Sequence, residues 1–184
     1  MIRTFEELSA AARAKGPKRV AIAAAAEKEV LLAARDAQSQ GLAICTLVGS
    51  RQAILRIAGE AEIDLSDMTV VDEADPILAA RRVMQLVGHS EADVAMKGRV
   101  ETSDFLRAAF DREFGLRMGR LLTHVGVFEI PGFDRLIFVS DAGVVVAPDV
   151  EQKVVIIQNA VAVARALGIE TPRAVSYTHL RAHE

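Results

Sequence analysis

The stretch of sequence that decides the fold is Ala92-Asp-Val-Ala-Met-Lys-Gly-Arg-Val-Glu-Thr-Ser-Asp-Phe-Leu106. It predicts a short apolar strand, then a Lys97-Gly98 turn, and then a helix that opens at Thr102 and Ser103. In a parallel sheet, ligands bind in the loops that leave the carboxyl ends of the strands. A helix amino terminus adds free backbone N–H groups and the positive end of the helix dipole. The loop is therefore a candidate binding site for an anion such as phosphate.

The sequence before this loop alternates apolar runs with helical patterns. The predicted strands are 19–24, 43–48, 68–72 and 93–96, and the predicted helices are 4–15, 27–40, 51–59 and 76–88. Asp75 before Pro76 is a strong helix start, and Gly41 lies where a helix C-cap is expected. Thr4 and Glu7 form a capping-box pattern at the first helix. This order predicts right-handed crossovers and a mostly parallel sheet.

The pattern changes in the last third of the chain. Apolar runs at 121–130 and 135–140 flank Pro131-Gly-Phe-Asp134, which is a hairpin turn signal. A hairpin after a series of parallel crossovers indicates a new domain. We therefore predict a first α/β domain over residues 1–120 and the start of a second domain over residues 121–175.

The hairpin is followed by a predicted helix over residues 150–167, which Gly168 ends. Residues 171–175 begin like another strand. The remaining segment, 176–184, does not continue this pattern, and it holds the only tyrosine of the chain and two of its four histidines. It resembles non-native sequence such as adapter or vector read-through, although a natural but divergent tail is the alternative.

Composition excludes several classes of function. The net charge of −3 gives no basic footprint, so we expect no nucleic-acid partner. Glu6 and Glu7 lie where a signal peptide would be basic and then apolar, and no apolar run approaches the ~20 residues of a membrane span. We therefore expect no membrane association and a cytoplasmic location. The single cysteine, Cys45, lies in an apolar run and is expected to be buried.

Five short motifs follow one another along the chain in a characteristic order. They are Met96-Lys97-Gly98 with Thr102 and Phe105-Leu106, Thr123-His124-Val125, Ser140-Asp141-Ala142-Gly143, Pro148-Asp149 with Lys153, and Gln158-Asn159-Ala160 with Leu167-Gly168-Ile169 and Pro172. Together they resemble the phosphate acetyl/butyryltransferase family, and the butyryltransferase branch in particular. The resemblance runs from Arg19 to Ala174. The family's Ser-His-Val pattern is Thr-His-Val here.

The resemblance implies a fold: a three-layer α/β/α sandwich with a mostly parallel sheet, of the type found in isocitrate and isopropylmalate dehydrogenases. Such a protein has two domains with a cleft between them. The first domain would be incomplete here, because it lacks the segments that return from the carboxyl end in the family. The family tends to dimerise, so a homo-oligomer is implied, with the region from Leu121 to Leu167 as the candidate interface.

The resemblance also implies a reaction, in which acyl-CoA and phosphate are converted to acyl phosphate and free CoA. A short acyl chain such as butyryl is favoured, CoA and phosphate are the substrates, and no cofactor is required. In the family the general base and its partner serine and arginine lie near the carboxyl end. No residue of this chain matches them, so we assign no catalytic residue and expect the fragment to be inactive.

Four candidate substrate-binding residues lie in the Lys97 loop, and each has a second interpretation. Lys97 is suited to hold a phosphate oxygen, but a solvated lysine is the commoner case. Gly98 would let backbone approach a ligand, or would permit a positive φ. Thr102 and Ser103 are suited to ligand contact but are also good N-caps. Arg99 is an additional candidate anion clamp.

Two further candidates lie beyond the first domain. His124 follows apolar residues in a predicted strand, where a lone histidine is more often a hydrogen-bonded core or interface residue. Asp141 follows the predicted strand 135–140; it is a candidate ligand-binding carboxylate, although Asp-Ala-Gly is also ordinary turn chemistry. Asp149 is interpreted as an N-cap of the long helix.

Other chemistries find no support in the sequence. No Cys/His spacing suits zinc, and we expect no metal site. No phosphate-binding P-loop, dinucleotide fingerprint or hydrolase nucleophile motif is present. Two alternatives remain: a metal- or NAD-dependent dehydrogenase on the same fold, and an inactive truncated fragment. The dehydrogenase needs an acidic metal cluster and arginines for a substrate carboxylate, which the sequence does not offer in order.

Overall fold

The computed structural model describes residues 1–114 and 121–176. The chain forms two compact units. One comprises Ala11–Gly119, and we name it the sheet unit. The other comprises Met1–Ala10 together with Arg120–Glu184, and we name it the hairpin unit. The predicted non-native tail, apart from Ser176, lies outside the described residues.

Strands and helices alternate through the sheet unit, after a first helix α1 (Phe5–Ala14) that begins in the hairpin unit. They are β1 (Lys18–Ala23), α2 (Lys28–Ser39), β2 (Ala43–Gly49), α3 (Arg51–Glu60), β3 (Thr69–Asp72), α4 (Pro76–Gly88), β4 (Val94–Lys97) and α5 (Thr102–Ala109), followed by a 3-10 turn at Arg112–Phe114. The four strands are parallel and lie in the order β3-β2-β1-β4. The predicted mostly parallel α/β fold is confirmed.

Consecutive residues of a strand point to opposite faces of the sheet. In β1, helices cover the residues on both faces. On one face Ile22 of β1 is buried with Leu31 of α2 and Ile54 of α3. On the other face Ala23 of β1 is buried with Met84 of α4. The middle of the sheet, formed by β1 and β2, is therefore buried between two layers, which explains why most residues of these two strands are apolar.

The helix boundaries follow local capping chemistry. Asp75 Oδ1 accepts hydrogen bonds from the backbone N–H groups of Ile77 at 2.8 Å and Leu78 at 3.0 Å. Pro76 occupies the first turn, where its missing N–H costs no helical hydrogen bond. Gly41 follows α2 with a φ of 69°, as a C-cap glycine should. These predicted signals are confirmed.

Only one of the two hydrogen bonds of the capping box predicted at α1 forms. Thr4 Oγ1 accepts the expected hydrogen bond from Glu7 N at 3.1 Å. The Glu7 carboxylate, however, accepts from the backbone N–H of Arg3 at 2.7 Å, one residue before the cap. The long glutamate side chain reaches past Thr4, so the reciprocal pair does not close.

A side-chain clamp joins the amino ends of the two neighbouring strands β1 and β4. The Arg19 guanidinium donates to both carboxylate oxygens of Asp93, at 2.7 and 3.2 Å, and to the carbonyl of Ser90 at 2.7 Å. Asp93 also accepts from the backbone N–H of Arg19 at 2.9 Å. The hydrogen bonds from Arg19 hold the pKa of Asp93 well below its usual range.

The hairpin unit contains the antiparallel strands β5 (Gly126–Phe128) and β6 (Ile137–Val139). Phe133 N donates to Ile130 O at 3.0 Å, and Gly132 has a φ of 88°, which makes a type II turn with Pro131 at its second position. The predicted hairpin is confirmed, but its strands are shorter than predicted. His124 lies before β5 and not in a strand, because side chains of the opposite segment bind its backbone.

Helix α6 (Val150–Ala166) completes the hairpin unit. Asp149 Oδ1 accepts from Gln152 N at 2.8 Å, and Gln152 Oε1 accepts from Asp149 N at 3.0 Å, so the predicted N-cap closes a full capping box. Gly168 follows the helix with a φ of 82°. The strand predicted at 171–175 is wrong, because this segment pairs with no strand among the described residues, and its proline has no N–H to donate.

The amino terminus belongs to the hairpin unit through backbone contacts that the sequence analysis did not anticipate. Ile2 N donates to Leu167 O at 3.0 Å, directly after α6. Phe5 N donates to the Glu129 carboxylate at 2.6 Å, directly after β5. Residues far apart in the sequence therefore meet at the start of α1.

Replacing Leu47 with alanine tests the core beneath α2 and α3. Leu47 is 0% exposed in β2, so we expect Leu47→Ala to lower the free energy of unfolding by about 3 kcal/mol. Leu55→Ala is the matched control, because Leu55 of α3 is 53% exposed, and a change below about 0.5 kcal/mol is expected there. Urea unfolding followed by circular dichroism measures both. Equal losses in the two variants would contradict this assignment of the core.

Candidate functional site

The strand order creates a topological switch point between β1 and β4. From β1 the chain moves to β2 and β3 on one side, and then crosses the sheet to place β4 on the other side. In open parallel sheets, ligands bind beyond the carboxyl ends of the strands at such a point. Residues 24–26 after β1 and Lys97-Gly98-Arg99 at the end of β4 lie there. The loop selected from the sequence therefore occupies the expected binding position.

The β4 loop lies directly against the end of β1. Gly98 N donates to Ala23 O at 2.7 Å, and Arg99 N donates to Ala24 O at 3.0 Å. A Cβ atom on Gly98 would lie 2.6 Å from Ala24 O and 2.8 Å from Ala23 O. Gly98 does not have a positive φ, so close backbone packing explains this glycine in the structure. Ligand approach to Gly98 stays a prediction.

Lys97 is the last residue of β4, and its side chain is exposed. Its Nζ donates one hydrogen bond to the carbonyl of Val100, at 3.2 Å. An ammonium group has three N–H donors, so this bond leaves two for a ligand. The contact also orients the side chain along the loop that leads to α5.

The N-cap of α5 is Glu101, so the prediction that Thr102 or Ser103 caps this helix is wrong. Glu101 has extended backbone geometry and its carbonyl accepts from Asp104 N at 3.1 Å and Phe105 N at 3.0 Å, which starts the helix one residue earlier. Thr102 and Ser103 lie in the first turn with exposed side chains. The N–H groups of a first turn have no intrahelical acceptor, and they are suited to bind an anion.

Two open hollows lie at the same edge of the sheet, with volumes of about 460 and 380 Å³. Both are lined by Ala26, Ile57 and Arg99. The larger hollow also contacts Lys28 at the start of α2 and Glu60 at the end of α3. Arg99 therefore joins the β4 loop to a concave surface, which supports its selection as an additional candidate clamp.

The smaller hollow is lined by charged side chains of both signs. Two guanidinium groups, from Arg56 and Arg99, face one carboxylate, from Glu73. Arg56 is paired with Glu60 at 2.8 Å, whereas Arg99 has no ion-pair partner within residues 1–114 and 121–176. The sequence analysis missed Glu73 and Arg56. Glu73 directly follows β3, so the rule that ligands bind beyond the carboxyl ends of parallel strands also points to this residue.

The hairpin unit brings His124 and Asp141 together. Asp141 Oδ2 accepts from the backbone N–H of His124 at 2.9 Å, and Ser140 Oγ donates to the carbonyl of His124 at 2.6 Å. The backbone of His124 is thus bound on both sides, while its imidazole is exposed. Asn159 of α6 donates to Thr123 Oγ1 at 2.9 Å and holds the preceding residue.

The Asp141 carboxylate is occupied by backbone N–H groups. Its Oδ1 accepts from Gly143 N at 2.9 Å and Val144 N at 2.8 Å, and Oδ2 accepts from His124 N. Desolvation raises the pKa of Asp141, but the hydrogen bonds from these N–H groups outweigh it and lower the pKa to about 2. This geometry is the turn chemistry that the sequence left open. Asp141 shapes the loop, and a direct contact with substrate stays a prediction.

The candidate residues thus form two groups, each within one unit. Lys97, Gly98, Thr102 and Ser103 share the loop between β4 and α5, and His124 and Asp141 share the segments that flank β5 and β6. Among the described residues, no group of three His, Cys, Asp or Glu side chains is placed to hold a metal ion. No helix in this part of the chain has both the length and the apolarity that a membrane span requires.

The sequence profile of the family described as "Phosphate acetyl/butaryl transferase" matches residues 3–81 and 75–182 of this chain. The chain belongs to this family. The match reaches into the segment predicted to be non-native, and that prediction stays open.

Relatives of known name agree with the family match. The chain is 40% identical over 173 residues to a phosphate butyryltransferase of Clostridium acetobutylicum, covering 94% of this chain and 58% of the relative. It is 36% identical over 169 residues to a phosphate acetyltransferase of Thermotoga maritima, covering 92% and 57%. The chain therefore spans somewhat more than half the length of these relatives.

A solved structure shares the fold. The crystal structure of a phosphotransacetylase from Streptococcus pyogenes superposes with a TM-score of 0.75 at 14% identity, covering 91% of this chain and 60% of that one. At this identity the likeness shows the fold alone.

Gly98→Ala tests the close approach of the β4 loop to β1. Because the added methyl group would meet two backbone carbonyls, we expect a loss of about 1–3 kcal/mol in the free energy of unfolding. The matched control is Gly59→Ala in α3, where a Cβ meets nothing within 4 Å. Alanine there should raise the stability by up to about 1 kcal/mol. Urea unfolding measures both, and a neutral Gly98→Ala would contradict the packing described.

The lowered pKa of Asp141 predicts an acid-dependent stability of the hairpin unit. A carboxyl group with a lowered folded-state pKa stabilises the fold above its ordinary value of 3.8 and loses this effect as the pH falls towards 2. Asp141→Asn should therefore lower the thermal midpoint at pH 7, and the difference from the parent chain should shrink between pH 4 and pH 2. Asp134→Asn, at an exposed position of the same hairpin, is the control and should leave the midpoint unchanged. A difference that does not depend on pH would contradict this role.

Proposed function

We propose that the whole protein transfers a short acyl group between coenzyme A and inorganic phosphate. Membership of the phosphate acetyl/butaryl transferase family supports this reaction. Butyryl is favoured over acetyl, because identity to the named butyryltransferase, at 40%, exceeds the 36% to the named acetyltransferase. The single structural observation that carries the proposal is the Lys97-Gly98-Arg99 loop at the switch point of the parallel sheet.

The reaction forms one bond and breaks one. A phosphate oxygen attacks the carbonyl carbon of the thioester, and the carbonyl oxygen takes up negative charge in a tetrahedral intermediate. The C–S bond then breaks, and the thiolate of CoA takes a proton. Such a reaction needs cationic groups for phosphate, a general base, and donors for the developing oxyanion. CoA and phosphate are substrates, and the proposed reaction needs no further cofactor.

The described residues fit the part of this chemistry that binds anions. The free donors of Lys97 and the first-turn N–H groups at Thr102 and Ser103 belong to the same loop and helix start. Arg99 adds a guanidinium beside the hollows at the same edge. Lys97 and Arg99 would neutralise phosphate charge, and Gly98 would keep the loop close to β1. His124, with a fixed backbone and an exposed imidazole, is the proposed substrate contact of the hairpin unit.

For the whole protein we propose the two-domain arrangement with a cleft that isocitrate and isopropylmalate dehydrogenases share. The division at residue 120, with a second domain that starts at 121, belongs to this proposal. Strand β4 lies at an edge of the sheet, and its residues Val94 and Met96 are exposed on the face where Val20 and Ile22 are covered. Further elements of the longer relatives are suited to cover them.

The remaining parts of the proposal concern the setting of the enzyme. The general base is proposed to lie outside the 184 residues, as the family resemblance implies, so this chain alone is expected to be a poor catalyst. A cytoplasmic location and a homo-oligomeric state are also proposed. A dehydrogenase on the same fold is the alternative, and the family match and the named relatives do not favour it.

The decisive assay measures release of the CoA thiol from butyryl-CoA with and without phosphate. We expect the full-length protein to release CoA in a phosphate-dependent reaction, and residues 1–184 to be slower by at least about 10²-fold, the usual effect of losing a general base. Release that does not depend on phosphate would contradict the proposed function. Full activity of residues 1–184 would show that the base lies within this chain.

Lys97→Gln in the full-length protein tests the anion site. Removing a charged donor to phosphate should raise the KM for phosphate by about 10- to 100-fold, with a smaller effect on the KM for butyryl-CoA. The control is Lys18→Gln, because Lys18 lies at the amino end of β1, whereas Lys97 lies at the carboxyl end of the neighbouring parallel strand β4. An unchanged KM for phosphate in Lys97→Gln would show that Lys97 does not bind phosphate. It would not contradict the proposed reaction, which the CoA-release assay tests separately.

A further inference from the structure

An arginine side chain of α4 binds the segment that follows α5. Arg81 Nη1 donates to Asp111 Oδ2 at 2.7 Å, and Arg81 Nη2 donates to Glu113 Oε2 at 2.9 Å. The same guanidinium lies over the ring of Phe114, with Cζ 5.2 Å from the ring centroid. One planar cation therefore contacts three residues of the segment 111–114, and we name these contacts the Arg81 anchor.

Other contacts seat the same segment on α4. The Asp111 carboxylate binds Arg81 through Oδ2, and its Oδ1 accepts from Glu113 N at 3.1 Å, at the 3-10 turn. Phe114 is 4% exposed and belongs to a buried cluster with residues of α4. A Cβ atom on Gly88, at the end of α4, would lie 2.3 Å from Phe114 O. Arg81 and Gly88 are seven residues apart, so the contact extends over about two turns of α4.

The Arg81 anchor differs from an ordinary surface ion pair. An isolated exposed pair contributes little to stability, because solvent screens it and both side chains lose freedom. Here one guanidinium, 40% exposed, contacts two carboxylates and an aromatic face, and its planar fork is preorganised for such contacts. Without this cation, the carboxylates of Asp111 and Glu113 would be left with no charge to neutralise them in this contact. The segment would then lose its attachment to α4.

Helix α5 needs this attachment because it is short and buries little of its surface. It comprises eight described residues, Thr102–Ala109, of which Ala108 is the buried one. A helix of this length is not stable by itself in water. Before α5, the backbone bonds of Gly98 and Arg99 to the end of β1 fix one point of its path. The Arg81 anchor, two residues after its last turn, fixes the second point and thus the direction of the helix.

We propose that Arg81 is a positioning residue for phosphate, which holds α5 in the direction that lets the first-turn N–H groups of Thr102 and Ser103 bind this anion. The inference rests on the function proposed above and refines its anion site. Hydrogen bonds weaken steeply when the donor N–H points away from its acceptor. A change in the direction of α5 therefore weakens phosphate binding, although Arg81 acts from the opposite end of the helix.

Arg81→Gln in the full-length protein tests this role. The KM for phosphate should rise by about 3- to 10-fold, less than the loss of a whole hydrogen bond to a charged group would cause. The kcat and the KM for butyryl-CoA should change by less than about twofold, because the substitution weakens a contact to phosphate alone. A merely structural arginine would lower the thermal midpoint and leave the ratio of the two KM values unchanged.

Two variants serve as controls for charge and for shape. Arg82→Gln removes the same charge from the next position of α4, where Arg82 is exposed and donates to Gln85 of its own helix at 3.3 Å. Its KM for phosphate should equal that of the parent. Arg81→Lys retains the charge without the planar fork, so its KM should lie between those of the parent and Arg81→Gln. An unchanged KM for phosphate in Arg81→Gln, or an equal rise in Arg82→Gln, would overturn the proposal.

Glu113→Gln keeps the proposal testable if Arg81→Gln does not fold. It removes one carboxylate of the Arg81 anchor at a position where the side chain is 60% exposed, so the fold should tolerate it. The KM for phosphate should rise by about two- to threefold. In a folded Arg81→Gln background the same change should add nothing, because both residues belong to one contact. Independent, additive effects would contradict a shared anchor.

Titration of residues 1–184 with inorganic phosphate, followed by the backbone amide signals of Thr102 and Ser103, tests binding without catalysis. In the parent chain these signals should shift with phosphate, and in Arg81→Gln the apparent Kd should be about 3- to 10-fold higher. Phosphate-independent CoA release in the full-length assay would refute the proposed function, and this titration would still decide the role of Arg81. Equal affinities in the parent and Arg81→Gln, or amide signals that phosphate does not shift, would refute that role.

Discussion

Strand β1 is hydrogen-bonded to a parallel neighbour along each edge and covered by helices on each face. Its last three residues, Ala21, Ile22 and Ala23, are fully or almost fully buried. This constraint requires small or apolar side chains on both faces, and two of the three are alanine. The alanines face the α4 side, and the larger isoleucine fills the side of α2 and α3. Small alanine side chains at these two positions thus let helix α4 pack closely against the central strand.

The same constraint places the candidate anion site. Because β1 ends inside the sheet unit, the backbone carbonyls of Ala23 and Ala24 need donors, and the loop after β4 supplies them through Gly98 and Arg99. This pairing brings Lys97 to the switch point. The hairpin unit uses another device, since there a carboxylate, Asp141, collects several backbone N–H groups and fixes a turn. The loop at Lys97 is thus held by hydrogen bonds between backbone groups, whereas the turn at Asp141 is held by hydrogen bonds from backbone N–H groups to a side chain.

The elements of the sheet unit were predictable because strong local signals agreed with their packing. Asp75 with Pro76, and Gly41, each mark a helix end by chemistry that needs no tertiary contact. The failures depend on competition that the sequence does not display. At α5, Glu101 and not Thr102 became the N-cap, and at α1, Glu7 bound the N–H before the expected one. His124 fell outside its predicted strand because the side chains of Ser140 and Asp141, remote in sequence, captured its backbone. The hollows, and the Arg56 guanidinium that lines one of them, could not be predicted from local sequence, because residues that follow several different strands form them together.

The clamp of Arg19 on Asp93 has a consequence at the far end of the strands that it joins. Only four residues of β4 pair with β1, and so short a ladder is prone to slide along its neighbour. A slip of one residue would shift Lys97 by about 3.3 Å and turn it to the opposite face of the sheet. It would also separate Gly98 from the carbonyl that it binds. By holding the amino ends in register, the exposed ion pair acts as a positional stop. The register of the Lys97 loop is therefore held at both ends of the strands, by this ion pair and by the hydrogen bonds of Gly98 and Arg99.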